Sequence, residues 1–386
     1  MVKAIRVLLL VGVLSGVFTI SSLFVFRTND ARQNQPEQTS GAISTTYKFY
    51  LPLIAKQKTK TLTLGYYTGD QRSYDAIQSF SAYLRIVSAD VFSVLLDGSI
   101  VGGDDLGVVP YDKANNIQTY ACVSNYNSDP EVDDFDPALA HAAIVTHKAA
   151  VISQLVTIAR DGDYEGINID FENIAYSANI NNDRMAFSAF IHDLAAQLHA
   201  NGLKLVISVP GKTEDSQYNT WSYPFDFAAL GQDADYLQLM TYDQHGSWSE
   251  PGPISGVDWV EDCVVYASSL VDPSRLLIGL PAYGYDWDLT ASDPENEIFS
   301  ASSFSWIDVP ALLAKTGAVT HWDPASYSPS VTYTENGHNH EAWYENTESI
   351  HVKTALVTKY HLSGLSMWSL GQEDLSFWQA AVEGSP

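Results

Sequence analysis

Cysteine is scarce, with only Cys122 and Cys263 in 386 residues. A disulfide-built scaffold is therefore excluded. At most one intramolecular bridge can form, two buried thiols are the simpler expectation, and the sequence leaves open whether the pair meets in space. Basic residues are also few, 20 Lys and Arg against 46 Asp and Glu, for a formal charge of −26 at pH 7. A surface of that sign repels phosphate backbones and anionic headgroups, so nucleic acid is excluded as a partner. The acidic residues form no long block and read as a solvated surface. No nucleophile-elbow pattern surrounds Ser208 or Ser366, and nothing suggests a dinucleotide or phosphate site.

What is present begins with an almost uninterrupted apolar run over residues 7–26, behind Lys3 and Arg6 and ahead of Arg27. Its length is close to the roughly 20 residues that span a bilayer, and no A-x-A cleavage site is convincing, so residues 1–27 are expected to be a membrane anchor or signal peptide. The remainder is then extracytoplasmic, either secreted or tethered to the membrane. Residues 28–60 are rich in Thr, Gln, Ser and Asn apart from the short apolar patch 47–54, and read as a polar linker.

From residue 61 onward, short apolar or β-branched runs alternate with amphipathic stretches, as in repeated βα units around a parallel sheet. Strands are expected at 62–67, 91–96, 118–123, 166–171, 204–209, 236–242, 276–280 and 364–368. Helical periodicity is clearest at 138–160, 184–200, 257–269, 350–360 and 375–382. Eight strands suit a (β/α)8 TIM barrel over 61–386. The stretch between the seventh strand and the helix at Ile350 is too long for a βα loop, which has roughly 2–6 residues. Helical character at 306–315 and alternation at 321–333 and 340–345 make it a small α+β insertion, 286–346, above the C-terminal mouth of the barrel. Within it, His338-Asn339-His340 has the spacing of a zinc pair, but no third ligand is apparent and a turn is expected there.

The decisive segment is Glu165-Gly166-Ile167-Asn168-Ile169-Asp170-Phe171-Glu172. In a strand, Ile167, Ile169 and Phe171 face one way and Asn168, Asp170 and Glu172 the other. Barrel interiors are ordinarily filled by Val, Ile and Leu, so a polar line rising to the strand's C-terminal end demands a reason. A carboxyl crowded by another carboxylate holds its proton to higher pH and can deliver it to a leaving oxygen. A satisfied buried polar network and a metal site on Asp170 and Glu172 are the alternatives, the latter weakened because no histidine flanks the strand.

This segment resembles the D-G-x-D-x-D-x-E motif on the fourth strand of glycoside hydrolase family 18. Glu165 and Asn168 depart from it, whereas Asp170 and Glu172 are retained. The form G-[VI]-N-I-D-F-E is closest to the bacterial branch that contains spore-cortex peptidoglycan N-acetylglucosaminidases. Leu239-Met240-Thr241-Tyr242-Asp243 resembles the sixth-strand M-x-Y-D, 279–283 the seventh strand, and 364–371 the eighth, ending in a floor tryptophan, Trp368. His340 to Glu345, with Ser349, resembles the H-E-x-W-[FY]-E run that closes the insertion, which brings Trp343 to the substrate side.

The resemblance implies hydrolysis of β-1,4-linked N-acetylglucosamine polymers, peptidoglycan or chitin oligomers, by substrate-assisted retention, with no cofactor, no metal and a monomeric enzyme. Glu172 would be the acid, Asp170 would hold the acetamido N–H, and Tyr242 would donate to its carbonyl. Asn168, Met240 and Asp243 would support substrate binding, and Tyr66 and Trp368 would offer flat surfaces to the sugar. With 46 Phe, Trp and Tyr in the chain, most must be core, so only those at strand ends are candidates. The rivals are a lectin-like binding protein, which the presence of Glu172 opposes, and a wall-associated tether.

Overall fold

The computed structural model describes residues 61–383; the apolar run 7–26 and the linker 28–60 lie outside the described residues. Among the described residues, eight parallel strands close into a barrel: β1 (Leu62–Tyr67), β2 (Ile86–Val94), β3 (Gln118–Ser124), β4 (Gly166–Asp170), β5 (Lys204–Pro210), β6 (Tyr236–Met240), β7 (Leu276–Pro281) and β8 (Gly364–Trp368). Each pairs with the next, and β8 returns to β1 in the register Leu62 to Gly364, so none of these strands keeps a free edge. Outward residues such as Val87, Ile167, Ile169, Ile207, Leu239 and Ile278 form the core between sheet and helices. Inward residues are sorted by height. Leu64, Ile86, Tyr120, Val206 and Leu277 fill the lower barrel, and polar side chains follow toward the C-terminal ends. Asp70, Asn179 and Asp226 cap the helices Gln71–Phe80, Ile180–Ala200 and Phe227–Asp233, accepting hydrogen bonds from free N–H groups of the first turn.

Two elements differ from their sequence reading. The stretch 138–160 is not one helix: it runs as Pro137–His141, a π turn at Ala142–Thr146 and Lys148–Asp161, with a bend of 96°. Leu139, Ala143 and Ile144 are buried before the bend and Val151, Leu155 and Ala159 after it, so the apolar rhythm continues across His147 and conceals the break. Strand β2 starts five residues earlier than 91. Ser88, Ala89 and Asp90 have little strand propensity, and the register with β3 slips between Asp90 and Phe92, which interrupts the alternation.

After β7 the chain builds a five-stranded antiparallel sheet in the spatial order Ala301–Ser305, Tyr283–Asp288, His338–Trp343, Ser328–Glu335 and Val319–Asp323. The run 321–333 divides into two strands because Asp323 accepts from the N–H groups of Ala325 and Ser326 and folds the chain into a turn. The other hairpin turns at Asn336-Gly337, both at positive φ (53° and 85°) as a two-residue hairpin loop requires. His338-Asn339-His340 is consequently strand, not turn. His338 pairs with Asp288 at 2.6 Å, and His340 pairs with Asp286 at 3.2 Å while stacking on Tyr333, so both imidazoles are engaged by carboxylates. Cys122 and Cys263 are buried and unbonded.

Candidate active site

A polar layer closes the barrel beneath its mouth. The Asn168 amide donates to the Tyr66 hydroxyl (3.1 Å) and to Ser88 Oγ (2.9 Å), while its oxygen accepts from Ser208 (3.3 Å). The Tyr66 hydroxyl meets Ser208 Oγ at 2.8 Å and donates to Gln238 Oε1, and Gln238 donates to Ser366 Oγ. Six side chains from six strands are thus linked, which fixes the strands against one another where Asp170 rises above them.

Above this layer opens a cleft of about 780 Å³, lined among others by Asp134, Asp170, Glu172, Met240, Tyr242, Asp243 and Trp368, with Trp221, Trp248 and Trp259 along its wall. Trp221 and Trp248 are exposed, as aromatic platforms facing solvent must be. No lysine or arginine is among the lining residues. Asp170 is buried, and burial pushes its carboxyl up to about 6. Glu172 lies at the strand's end. Burial, then the carboxylates of Asp170, Asp243, Asp90 and Asp134, hold it well above the ordinary glutamate range. Burial likewise raises Asp243 to about 6, and the Tyr283 hydroxyl, donating at 2.6 Å, partly offsets this.

The backbone beneath these groups is specific. Asn125, just past β3 and fully buried, accepts from the Glu172 N–H and donates to the Glu172 carbonyl, both at 2.8 Å, gripping the two peptide groups that flank Glu172. Its amide also reaches the Asp136 carbonyl. Asn173 and Asp243 have positive φ (49° and 57°), an uncommon conformation outside glycine, which turns the chain sharply behind both carboxylates. At Gly279 on β7 a Cβ would lie 2.6 Å from the Tyr242 ring, so only glycine leaves that ring its place. Asn125→Ala removes three partly buried hydrogen bonds and is expected to destabilise the fold by about 1–3 kcal/mol; urea unfolding would measure it, and an unchanged midpoint would show that the grip is dispensable.

The structure brings Glu172, Asp170, Tyr242, Met240, Asp243 and Trp368 together at one cleft. Three expectations change. Asn168 is fully buried with its amide used inside the barrel, so it holds the scaffold and does not reach a substrate. Tyr66 is 1% exposed and lies under Trp368, centroids 5.3 Å apart, so it backs the floor tryptophan and is no sugar surface itself. Trp343 is half-buried in the aromatic cluster of Tyr242, Tyr283 and Trp287, with its indole N–H on Glu341, and is not among the residues lining the cleft. Asp90, Asn125, Asp134, Trp221 and Trp248 escaped the sequence reading. Asp90 alone carried a usable signal, an acid at period two with Ile86 and Ser88 in a barrel strand.

Oxygens of Asp90 and Asp170 and the Cys122 sulfur lie within 4.8 Å of one another, the spacing of a metal site. Burial keeps the Cys122 thiol protonated, and a mixed set of two carboxylates and a neutral thiol matches no common preference.

Comparison with known proteins agrees with this geometry. Residues 108–373 match the model of Glycosyl hydrolases family 18. The chain is 33% identical over 349 residues to the uncharacterized glycosylase YvbX of Bacillus subtilis, covering 89% of this chain and 98% of that protein. It is 26% identical over 305 residues to the cortical fragment-lytic enzyme of the same organism, covering 79% and 68% respectively. Among solved structures, a chitinase from Chromobacterium violaceum superposes with a TM-score of 0.77 at 34% identity, covering 84% of this chain and 98% of that one. With its barrel, its fourth-strand carboxylates and two thirds of its length matched, this chain belongs to glycosyl hydrolases family 18 and is a glycosidase.

Proposed function

We propose that this glycosidase cleaves β-1,4-linked N-acetylglucosamine polymers by substrate-assisted retention. The observation that carries the reading is the pairing of Asp170, the last residue of β4, with Glu172 just beyond it in the same cleft, the first buried and the second held protonated where the cleft opens. Glu172 protonates the glycosidic oxygen, and the acetamido oxygen of the sugar attacks its own anomeric carbon. Asp170 accepts the acetamido N–H and offsets the positive charge on the resulting oxazolinium ring; Tyr242 donates to the acetamido carbonyl oxygen. Glu172, now a carboxylate, takes a proton from the water that opens the ring. Trp368 carries the sugar at the cleavage point, with Tyr66 beneath it. Four carboxylates and no cation in the lining favour an uncharged chitin-type chain over a glycan bearing lactyl carboxylates. The relatives named as cortical fragment-lytic enzymes keep the wall polymer as the alternative.

Nucleophilic participation has a direct test. Chitobiosides whose N-acetyl group carries one, two or three fluorines should hydrolyse progressively more slowly, because each fluorine weakens the attacking oxygen. A rate independent of fluorination would remove the acetamido group from the mechanism. Product analysis on chitooligosaccharides and purified peptidoglycan separates the two polymers, and a protein that binds both without turnover would be lectin-like.

The apolar run 7–26 is proposed to hold the enzyme at the membrane with the barrel outside the cytoplasm, and one chain is proposed to suffice for activity. Residues 61–386 alone are expected to be soluble, monomeric on size exclusion and active, since the barrel strands and cleft lining fall within them. Recovery of folded protein only when residues 47–60 are restored would make the linker part of the fold.

A further inference from the structure

Asp90 has no role in the mechanism above, yet it stands among the groups that carry it. It faces inward midway along β2, half-buried, immediately before the register slip with β3. From β3 it meets Cys122, and from β4 Asp170, with the three ligand atoms within 4.8 Å of one another. Glu172 lies within its electrostatic reach, and Glu172 is also faced by Asp134 and Asp243 from other sides of the cleft. No lysine or arginine lines that cleft to neutralise the set. Asn168, the inward neighbour of Asp170 on its own strand, cannot ionise, so Asp90 supplies the charge nearest to Asp170 from the adjoining side.

We infer that Asp90 is a positioning residue for the reaction, a carboxylate on β2 whose charge sets how far up in pH Glu172 keeps its proton beside an ionised Asp170. The inference rests on the roles proposed for Asp170 and Glu172. Burial, and then the charge of Asp170, push Asp90 itself up to about 7, so it gains its charge within the working range of such an enzyme. Two carboxylates this close resist being ionised together. The charge of Asp90 also opposes ionisation of Glu172.

The sign follows. Asp170 takes its charge first and Asp90 after it, so replacing Asp90 by a neutral group removes a like charge from Glu172, which then ionises at lower pH. The acid limb of kcat/KM, which needs Asp170 ionised, is set by burial and stays in place. The alkaline limb, which needs Glu172 protonated, moves down. In Asp90→Asn the alkaline limb should shift to lower pH by roughly one unit while the acid limb holds. Asp90→Ser, which also lacks the charge, should give the same shift and serves if the first variant is not recovered folded. The measurement is the pH profile of kcat/KM on a chitobioside, with thermal unfolding as the check on folding.

A uniform loss of activity with both limbs in place, or no change at all, would overturn the inference, since a structural role lowers the profile without moving it. Asp170→Asn run in parallel separates the two levels. An inactive Asp170→Asn enzyme beside an unshifted Asp90→Asn profile defeats only the role of Asp90. Full activity of Asp170→Asn defeats the mechanism on which that role depends, and the inference with it.

Discussion

Glu172→Gln should slow hydrolysis of an unactivated N-acetylglucosamine oligomer by roughly 10²–10⁴ while leaving the oligomer bound. Gln keeps the length and hydrogen-bonding reach of Glu but has no proton to give, so the ground-state complex survives and the transition state does not. The surroundings make this a clean substitution. Asn125 grips the main chain of residue 172 and not its side chain, so the backbone stays fixed. Burial and four neighbouring carboxylates that hold the native carboxyl protonated impose no such cost on a neutral amide. The loss should shrink for a nitrophenyl glycoside, whose leaving group departs with little help from an acid. Because the folded-state pKa of Glu172 is raised, the wild-type enzyme should keep activity above the ordinary carboxylate range and lose it only as the pH climbs through that raised value. The variant should have no such alkaline limb. Equal slowing of natural and activated substrates would assign the proton to another group.

Much of this was legible because barrel strands carry their information locally. Strands β1 and β8 run over the residues expected of them, 62–67 and 364–368, and the polar line Asn168, Asp170, Glu172 stands out wherever period two is applied to an apolar strand. What eluded the sequence is what depends on partners far along the chain. Nothing around Asn168 reveals that its amide meets Tyr66 and Ser88, 102 and 80 residues away, and so is withdrawn from the cleft. Asn125 is one polar residue after a strand until the fold sets it against Glu172. Asp90 keeps period two with Ile86 and Ser88, but the bulge just after it breaks the alternation, and a strand expected to begin at residue 91 leaves it out. Trp221 and Trp248 lie on loops without periodicity, and their place in the cleft is fixed only by the barrel beneath them.

Asp170→Asn is expected to lower kcat by roughly 10²–10³ with a much smaller change in KM. The substitution preserves shape and removes charge, so it isolates what the carboxylate does as positive charge grows on the acetamido-derived ring. Asp170 is only 4% exposed, and in so dry a place a charge acts on its neighbour with little screening by water. An amide has a second defect there. It can turn an N–H toward the acetamido N–H, or turn its oxygen and leave its own N–H without a partner. The pH dependence gives an independent reading. Burial raises the carboxyl to about 6, so activity that needs the anion is present above that value and falls away as the pH drops through it. In the Asn variant nothing titrates at that position, and the acid limb should flatten at the reduced rate. A variant with full kcat and an intact acid limb would mean that another group, with Asp243 as the next carboxylate of the cleft, receives the acetamido N–H. Loss confined to KM would make Asp170 a residue that binds the ground state and leaves the ring charge to be stabilised elsewhere.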